Sequence, residues 1–294
     1  MNHRPECLPC CLRRVLHTAD RSTSDDWLRR RILGEAMQEL SRVDLKATPA
    51  EVAHGVIRRT AKTLGIVDPY ADEKRRWIEE ALANEDRLRS RISGSADPLL
   101  EALKLSIAAN VLDWELRQEY GRAVTMKSLV DGLDSLSLSD DNVEDFRAAA
   151  LQAQKVLFVF DSAGELVFDR LLIETLEKPR DSVVSVVRSA PVLAGATMDD
   201  AQAAGIAKVA RIMDPGLDCL GLLLDAGSEA LRTQFREADL VIAKGQAAFE
   251  TLEGGESKAL NVAGKAVFFL LRAKCPLVAR HLGIAVGDGV LERG

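Results

Sequence analysis

The chain has 294 residues, of which 47% are hydrophobic and 29% are charged, and its net charge is −6. This balance is typical of a globular protein with an ample core, and it excludes the disordered and fibrous classes. The interspersed charges disfavour binding to nucleic acid or anionic lipid, and no apolar run approaches the roughly 18 residues that span a bilayer, so we expect a cytoplasmic protein without a membrane or nucleic-acid partner.

Three of the five cysteines stand near the start, at Cys7, Cys10 and Cys11. Their odd total argues against a secreted disulfide framework. The C-x-x-C spacing of Cys7 and Cys10 suits zinc or dithiol chemistry, but no second cysteine pair completes a four-ligand set. Two interpretations stay open, a metal or redox site at this cluster and ordinary packing.

Residues 1–147 carry helical periodicity and predict a helical domain. One apolar stripe steps by four residues along DWLRRRILGEAMQEL and indicates a helix that faces the core; it comprises Leu28, Ile32, Ala36 and Leu40, beside Trp27, Leu33 and Met37. A second helix is predicted at TPAEV, where Thr48 caps the start and Glu51 completes a capping box. Gly65 is suited to end that helix.

Asn110 and Asp113 lie three residues apart on a predicted helix, hence on one face. They stand within the apolar segment SIAANVLDW, where burying polar groups without partners is costly. A functional role and a structural hydrogen-bonded pair both account for this spacing.

Residues 148–294 change in character and predict an α/β domain. KVLFVF, SVVSVV, AKVARIM and LVIA are short apolar runs, each followed by small or polar residues and a helical pattern. This alternation predicts a doubly wound, mainly parallel sheet with helices on both faces. Ligands of such sheets bind at the carboxyl ends of the strands, so the residues after each strand are the candidates for function.

The first of these strands is followed by Asp161, Ser162, Gly164 and Glu165, with a helix beginning near Glu165. The helix-end amides favour an anion, and Asp161 can hold a hard cation beside it. Capping of the helix by the Asp161 side chain is the structural alternative. A later strand ends at Lys244 and Gly245, where the lysine suits a phosphate oxygen and the glycine lets a ligand approach the backbone. A solvated surface lysine is the alternative there.

The absence of a G-x-S-x-G elbow, a Walker loop and a G-x-G-x-x-G motif argues against serine hydrolases and dinucleotide-binding enzymes. With these residues assembled, the chain resembles the metal-dependent damage-control phosphatase family, long catalogued as a domain of unknown function, over nearly its whole length. The matching blocks, in order, are Cys7 and Cys10, Asn110 and Asp113, DSAGELVFD from Asp161, KGQAAFE from Lys244, and the Lys-Cys-Pro segment that begins at Lys274.

The resemblance implies hydrolysis of phosphate monoesters of small, often damaged, metabolites with a divalent cation (Mn, Co, Ni or Mg). The residues that it assigns to catalysis are Asp161, Asn110, Asp113 and Lys244, and those that it assigns to the substrate are Gly164, Glu165, Gly245 and Lys274. Asp161 and the residue at position 162 are implied metal ligands.

The chain departs from the family pattern at three positions. Ser162 and Ala248 stand where the family has asparagines, and Gly195 stands where it has a metal-binding aspartate. Losing a carboxylate and a carbonyl from an oxygen-ligated site lowers its affinity for a divalent cation. We expect Asp214, at the end of another predicted strand, to supply a replacement carboxylate. Two functions follow, a divergent metal-dependent phosphatase and a weakened relative that binds a phosphorylated ligand or a partner protein.

Overall fold

A computed structural model describes residues 1–112, 125–253 and 265–294. Asp113 therefore lies outside the described residues. Within these ranges no helix is both long and apolar enough to cross a bilayer. The cytoplasmic location stays a prediction.

The first part of the chain is helical, as expected. Its described α-helices are α1 (Cys7–Ser22), α2 (Asp26–Leu40), α3 (Pro49–Leu64), α4 (Ala71–Ala83), α5 (Glu85–Gly94), α6 (Pro98–Ala109), α7 (Met126–Asp131) and α8 (Asp140–Gln152). The capping box at the start of α3 is confirmed, because Thr48 and Glu51 each accept a hydrogen bond from the other's backbone N–H. Gly65 ends this helix in the left-handed conformation, with φ of +67°.

The apolar stripe on α2 is confirmed in its centre and wrong at its margins. Ile32, Ala36 and Leu40 are buried, whereas Trp27 is 68% exposed and Met37 is 54% exposed. Ile32, Ala36 and Leu40 pack in one cluster with residues of α1 and α3, and Trp27 and Met37 are not part of it. Helical spacing identifies the centre of a buried face, while the width of that face depends on the neighbouring helices.

Six strands in the described residues form one sheet, in the order β3-β2-β1-β4-β5-β6. The strands are β1 (Val156–Val159), β2 (Val183–Val186), β3 (Arg211–Met213), β4 (Leu240–Lys244), β5 (Ala266–Arg272) and β6 (Gly289–Arg293). The helices that connect them are α9 (Leu166–Thr175), α10 (Met198–Ala203), α11 (Glu229–Glu237), α12 (Gly245–Leu252) and α13 (Pro276–Leu282). Neighbouring strands are parallel except for the β5–β6 pair, so the predicted fold class is confirmed.

The strands β5 and β6 were not among the predicted runs. The β5 segment AVFFLLR is the longest strand of the sheet, and its apolar run is a signal that periodicity analysis can find. The β6 segment GVLER ends in two charged residues, as suits an antiparallel strand at the edge of the sheet. Its pairing depends on β5 and leaves little trace in the sequence.

The helical segment shares a hydrophobic core with the sheet. One buried cluster contains Trp77 of α4 and Phe146 of α8 together with Phe158 of β1 and Phe268 of β5. A separate cluster joins α1, α2 and α3 and includes Leu220 from the second part. The division into 1–147 and 148–294 stays a prediction, but its two parts bury apolar surface against each other.

Candidate active site

Asp161 follows β1 at the carboxyl end of a central strand and is 8% exposed. Its Oδ2 atom accepts a hydrogen bond from Nδ2 of Asn110 at 3.2 Å and lies 3.6 Å from Nζ of Lys274. Its Oδ1 atom lies 3.5 Å from Nη2 of Arg188. The carboxylate therefore faces one amide and two cationic side chains.

The segment after β2 returns to this strand end and fixes its backbone. Ala196 N–H donates to the carbonyl of Asp161 at 3.0 Å, and Ala163 N–H donates to the carbonyl of Ala194 at 2.9 Å. Between them, Ser162 and Gly195 form an isolated antiparallel bridge. Two of the positions that depart from the family pattern are thus direct neighbours.

The short 3-10 turn Ala163–Glu165, which leads into α9, is capped by Ser162 and not by Asp161. Ser162 Oγ donates to Oε1 of Glu165 at 2.6 Å, and the two residues form a reciprocal capping box. Asn110 Nδ2 also donates to Oε1 of Glu165, at 2.9 Å, while its Oδ1 accepts from the backbone of Arg272 at 3.0 Å. Glu165 is fully buried in this network, so its carboxylate does not reach the cleft.

Lys244 is also fully buried, contrary to the surface alternative considered from the sequence. Its Nζ lies 2.9 Å from Asp169 Oδ1 and 3.0 Å from Glu165 Oε2, and it donates to the carbonyl and the hydroxyl of Ser106 at 2.6 and 2.8 Å. The ammonium group thus forms the centre of a polar cluster beneath Asp161. Asn110 and Glu165 connect this cluster to the Asp161 carboxylate.

The buried carboxylates of Asp169 and Glu165 share the single ammonium group of Lys244. The excess of negative charge contributes to raised pKa values of both Asp169 and Lys244. Burial raises the pKa of Asp169 to about 7, with Lys244 opposing the shift. Burial alone lowers the pKa of Lys244, but the charges of Asp169 and Glu165 outweigh this and raise it. Asp169 Oδ2 has no hydrogen-bond donor among the described residues, as suits a carboxyl group that takes up a proton.

Replacing Asp169 by asparagine is expected to change how stability depends on pH. Because the pKa of Asp169 is raised in the folded protein, the folded state binds its proton more tightly than the unfolded chain does. The stabilisation from this proton is complete below about pH 4 and is lost as the pH rises towards about 7. Urea unfolding at several pH values should show this decline in the wild type and a smaller one in Asp169→Asn; equal slopes would contradict the assignment.

Gly245 places its backbone directly against Asp161. Its φ is +80°, and a Cβ atom there would lie 1.8 Å from Oδ2 of Asp161. Gly164 is buried between α4 and the end of α6, since a Cβ atom would lie 3.4 Å from Trp77 and 3.3 Å from Leu112. Of the two predicted substrate glycines, Gly245 borders the carboxylate and Gly164 packs behind it.

The end of β1 opens into a cavity, which we call the Asp161 cleft. Its polar lining consists of Arg14, Asp161, Ser162, Gln246, Glu250 and Lys274. Burial raises the pKa of Glu250, whose Oε1 accepts a hydrogen bond from Gln246 Nε2 at 2.8 Å. The cavity volume is about 40 Å³, on a measure in which one water molecule needs about 10–15 Å³. The cleft is therefore narrow in this conformation, with room for a few water molecules.

The described residues do not form a site for a divalent cation. No three His, Cys, Asp or Glu side chains among them are arranged to hold a metal ion. Both oxygens of Asp161 face donors, and the Arg188 guanidinium lies within 3.5 Å. Two unit charges 4 Å apart interact by roughly 4 kcal/mol at an effective dielectric constant of 20, and a divalent cation doubles this repulsion.

Asp214, the expected replacement ligand, lies in an exposed turn after β3. Its Oδ1 accepts hydrogen bonds from Ser189 Oγ and, at 2.8 Å, from the backbone of Gly216. The strand β2 separates β3 from β1, and Asp214 is not part of the cleft lining. The structure therefore does not bring it to Asp161.

The cysteine cluster lies beside the cleft. Met1 N donates to the carbonyl of Glu250 at 2.8 Å, and the Cys7 thiol is close enough to Glu250 and Cys275 for their charges to affect it. Burial raises the pKa of both Cys7 and Cys275. The raised pKa values favour the neutral thiols of Cys7 and Cys275, which are poor metal ligands and poor nucleophiles. Zinc or redox use of Cys7 and Cys10 stays a prediction.

A larger cavity of 390 Å³ lies between α2 and α3. Its lining includes Glu35, Glu39, Arg42 and Arg59, and Glu35 is paired with neighbouring side chains of these helices. None of the site residues predicted from the sequence borders it. Charged side chains that satisfy one another on adjacent helices are typical of a solvated surface groove.

Two cations near Asp161 were not predicted from the sequence. Arg188 follows the β2 run as directly as Asp161 follows β1, so attention to every strand end would have identified it. Arg14 belongs to α1 and reaches the cleft only through the packing of that helix. No local pattern distinguishes it from the other arginines of this helix.

Comparisons with known proteins agree with this architecture. Residues 3–290 match the family model described as the damage-control phosphatase ARMT1-like domain. A damage-control phosphatase of Archaeoglobus fulgidus is 32% identical over 99% of both chains, and an uncharacterized protein of Methanocaldococcus jannaschii is 32% identical over 98% of this chain and 94% of its own length. The crystal structure of a DUF89 family protein from Pyrococcus horikoshii matches with a TM-score of 0.83 at 29% identity, covering 100% of this chain and 99% of that one.

Proposed function

The chain belongs to the damage-control phosphatase ARMT1-like family, and from this premise we propose that it hydrolyses phosphate monoesters of small metabolites, damaged ones included, in the Asp161 cleft. Family membership supports a phosphatase-type function in general. The proposal adds the class of substrate and assigns the reaction to the Asp161 cleft.

The observation that carries the proposal is the position of Asp161. It ends a central parallel strand, where ligands of doubly wound sheets bind. Arg14 and Lys274 line the same cleft, and cationic side chains in a narrow, partly buried cavity attract an anion more strongly than they do in water. A phosphate group fits the charge of this space.

The chain's own residues then have distinct tasks. Lys274 and Arg14 would hold the phosphoryl oxygens and compensate the charge that develops on them. Asp161 would orient the attacking water by accepting its hydrogen bond. The cluster below, through Asn110 and Lys244, keeps the Asp161 carboxylate in one orientation.

A second candidate is a relative that binds a phosphorylated ligand without turnover. The observation that favours it is Gly195, which stands where the family pattern has a metal-binding aspartate. In this reading the cleft retains its affinity for phosphate but not the groups that hydrolyse the ester. Calorimetry that detects ligand binding without release of phosphate would support this candidate.

Replacing Asp161 by asparagine is expected to reduce phosphate release by about 100-fold or more, because the isosteric amide cannot accept the same hydrogen bonds as an anion. The measurement is phosphate release across a broad panel of phosphomonoesters, with Mn, Co, Ni or Mg added and with none. The matched control is Asp214→Asn, which changes an exposed aspartate at another strand end and should leave activity within about twofold.

Absence of hydrolysis under every condition, with binding of phosphorylated ligands retained, would favour the second candidate. An equal loss in Asp161→Asn and Asp214→Asn would contradict the position assigned to the site.

A further inference from the structure

Arg188 is a buried cation that none of the roles described so far requires. It is 4% exposed and stands two residues after β2. Its Nη1 donates to the carbonyl of Phe160 at 3.2 Å, its Nη2 lies 3.5 Å from Asp161 Oδ1, and its Nε has no hydrogen-bond partner among the described residues. A guanidinium group is charged at any physiological pH, so Asp161 has a permanent counter-ion within the protein.

Gly195 leaves the space that the Arg188 side chain occupies. A Cβ atom at position 195 would lie 2.9 Å from the carbonyl oxygen of Val192 and 3.3 Å from both Cγ and Nε of Arg188. An aspartate at this position would overlap the Val192 carbonyl and crowd the arginine, so both the backbone at Val192 and the Arg188 side chain would have to shift. The absence of a side chain at position 195 and the packing of the Arg188 guanidinium are therefore linked.

We propose that Arg188 takes the place of a divalent cation as the counter-ion of Asp161, so that the cleft binds phosphate without a metal. The inference rests on the proposed function in taking the ligand to be phosphorylated. Arg188, Lys274 and Arg14 carry three positive charges around the cleft, against the two carboxylates of Asp161 and Glu250. The described residues around the cleft keep an excess of positive charge for an anion with no cation added.

The first test measures binding of inorganic phosphate to the full chain by calorimetry, in a chelator and in added Mn²⁺. We expect the two dissociation constants to agree within about twofold, since no metal takes part. Phosphate binding that disappears in the chelator and returns with Mn²⁺ would overturn the inference while leaving the proposed function intact. Binding in neither condition would overturn both the proposed function and metal-free phosphate binding, and the manganese titration below would then test only the role of Arg188 as the counter-ion of Asp161.

The second test follows Mn²⁺ itself by electron paramagnetic resonance of the free ion. The wild type should leave Mn²⁺ at millimolar concentration unbound, whereas the double variant Arg188→Ala with Gly195→Asp, which restores a carboxylate and removes the competing guanidinium, should bind the ion. Tight Mn²⁺ binding by the wild type, or none by a folded double variant, would overturn the inference.

Single variants separate charge from packing. Arg188→Met should weaken phosphate binding in chelator by about tenfold or more, whereas Arg188→Lys, which keeps the charge, should retain most of it. The matched control is Arg170→Met, another buried arginine that binds the carbonyl of Ala204 at 2.8 Å away from the cleft. It should lose stability without a change in phosphate affinity. If Arg188→Met does not fold, the wild-type measurements still decide the question; equal phosphate affinities of folded Arg188→Met and wild type would count against it.

Discussion

Replacing Lys244 by methionine is expected to destabilise the fold by about 3 to 5 kcal/mol at neutral pH. The substitution keeps the length of the side chain but removes the ammonium that lies 2.9 Å from Asp169 and 3.0 Å from Glu165. Both carboxylates are fully buried, so they lose their counter-ion where water cannot replace it. Urea or thermal unfolding of the purified chain measures the effect.

The matched control for this variant is Lys155→Met. Lys155 also pairs with a carboxylate, lying 2.9 Å from Glu237, but both side chains are largely exposed. We expect a loss of about 0.5 kcal/mol or less there. Adding Asp169→Asn to Lys244→Met should recover part of the stability, because a neutral amide avoids the cost of burying or protonating this carboxyl at neutral pH. A loss below about 1 kcal/mol for Lys244→Met alone would contradict the buried cluster.

The Lys244→Met variant also separates a structural role of this lysine from a catalytic one. Its Nζ is enclosed by Ser106, Glu165 and Asp169 and does not line the Asp161 cleft. The role predicted from the sequence, contact with a phosphate oxygen, requires this side chain to leave its partners. A folded Lys244→Met that retains phosphate affinity would assign the lysine to positioning of Asp161 through Glu165 and Asn110.

Replacing Gly245 by alanine is expected to impair both stability and the site. The left-handed backbone costs a residue with a side chain about 1 to 2 kcal/mol. In addition, the new methyl carbon would lie only 1.8 Å from Oδ2 of Asp161, far closer than two non-bonded atoms can approach. The Asp161 carboxylate must move to relieve this overlap, and we expect phosphate release to fall by about 100-fold. Thermal unfolding and the phosphatase assay measure the two effects.

Gly283→Ala is the control that isolates the contact. Gly283 also has a positive φ, +70°, but a Cβ atom there would meet nothing within 4 Å. It should show the backbone strain alone, and Gly245→Ala should be less stable by a further 2 kcal/mol or so. Similar losses of stability in the two variants, with activity unchanged in both, would show that Gly245 does not constrain Asp161.

Several features of the chain can be predicted from short segments alone. The capping box of Thr48 and Glu51 and the stop at Gly65 depend on three or four neighbouring residues, and all are confirmed. The same holds for the apolar runs that became β1 to β4 and for the fold class that they imply. The sequence also identified Asp161 as the residue after β1, because ligand sites of such sheets recur at strand ends.

The tertiary structure decided what each candidate side chain contacts. Lys244 and Glu165 stand at strand and helix ends in the sequence, yet the neighbouring strands and α6 cover them, and they face a buried carboxylate cluster instead of solvent. Asp214 ends a strand as well, but the sheet order places β2 between it and Asp161. Residue type and spacing do not carry this information, since strand order joins segments that are many residues apart.

Caps, turns and apolar periods, and with them the class of fold and the family, were determined by the sequence itself, because their energies arise between residues close in the chain. The pairing of Asp161 with Arg188, made possible by the absent side chain of Gly195, was decided only by the tertiary structure. That pairing depends on a fit of a few tenths of an ångström between β1 and the segment after β2, and such a fit exists only once the sheet has assembled.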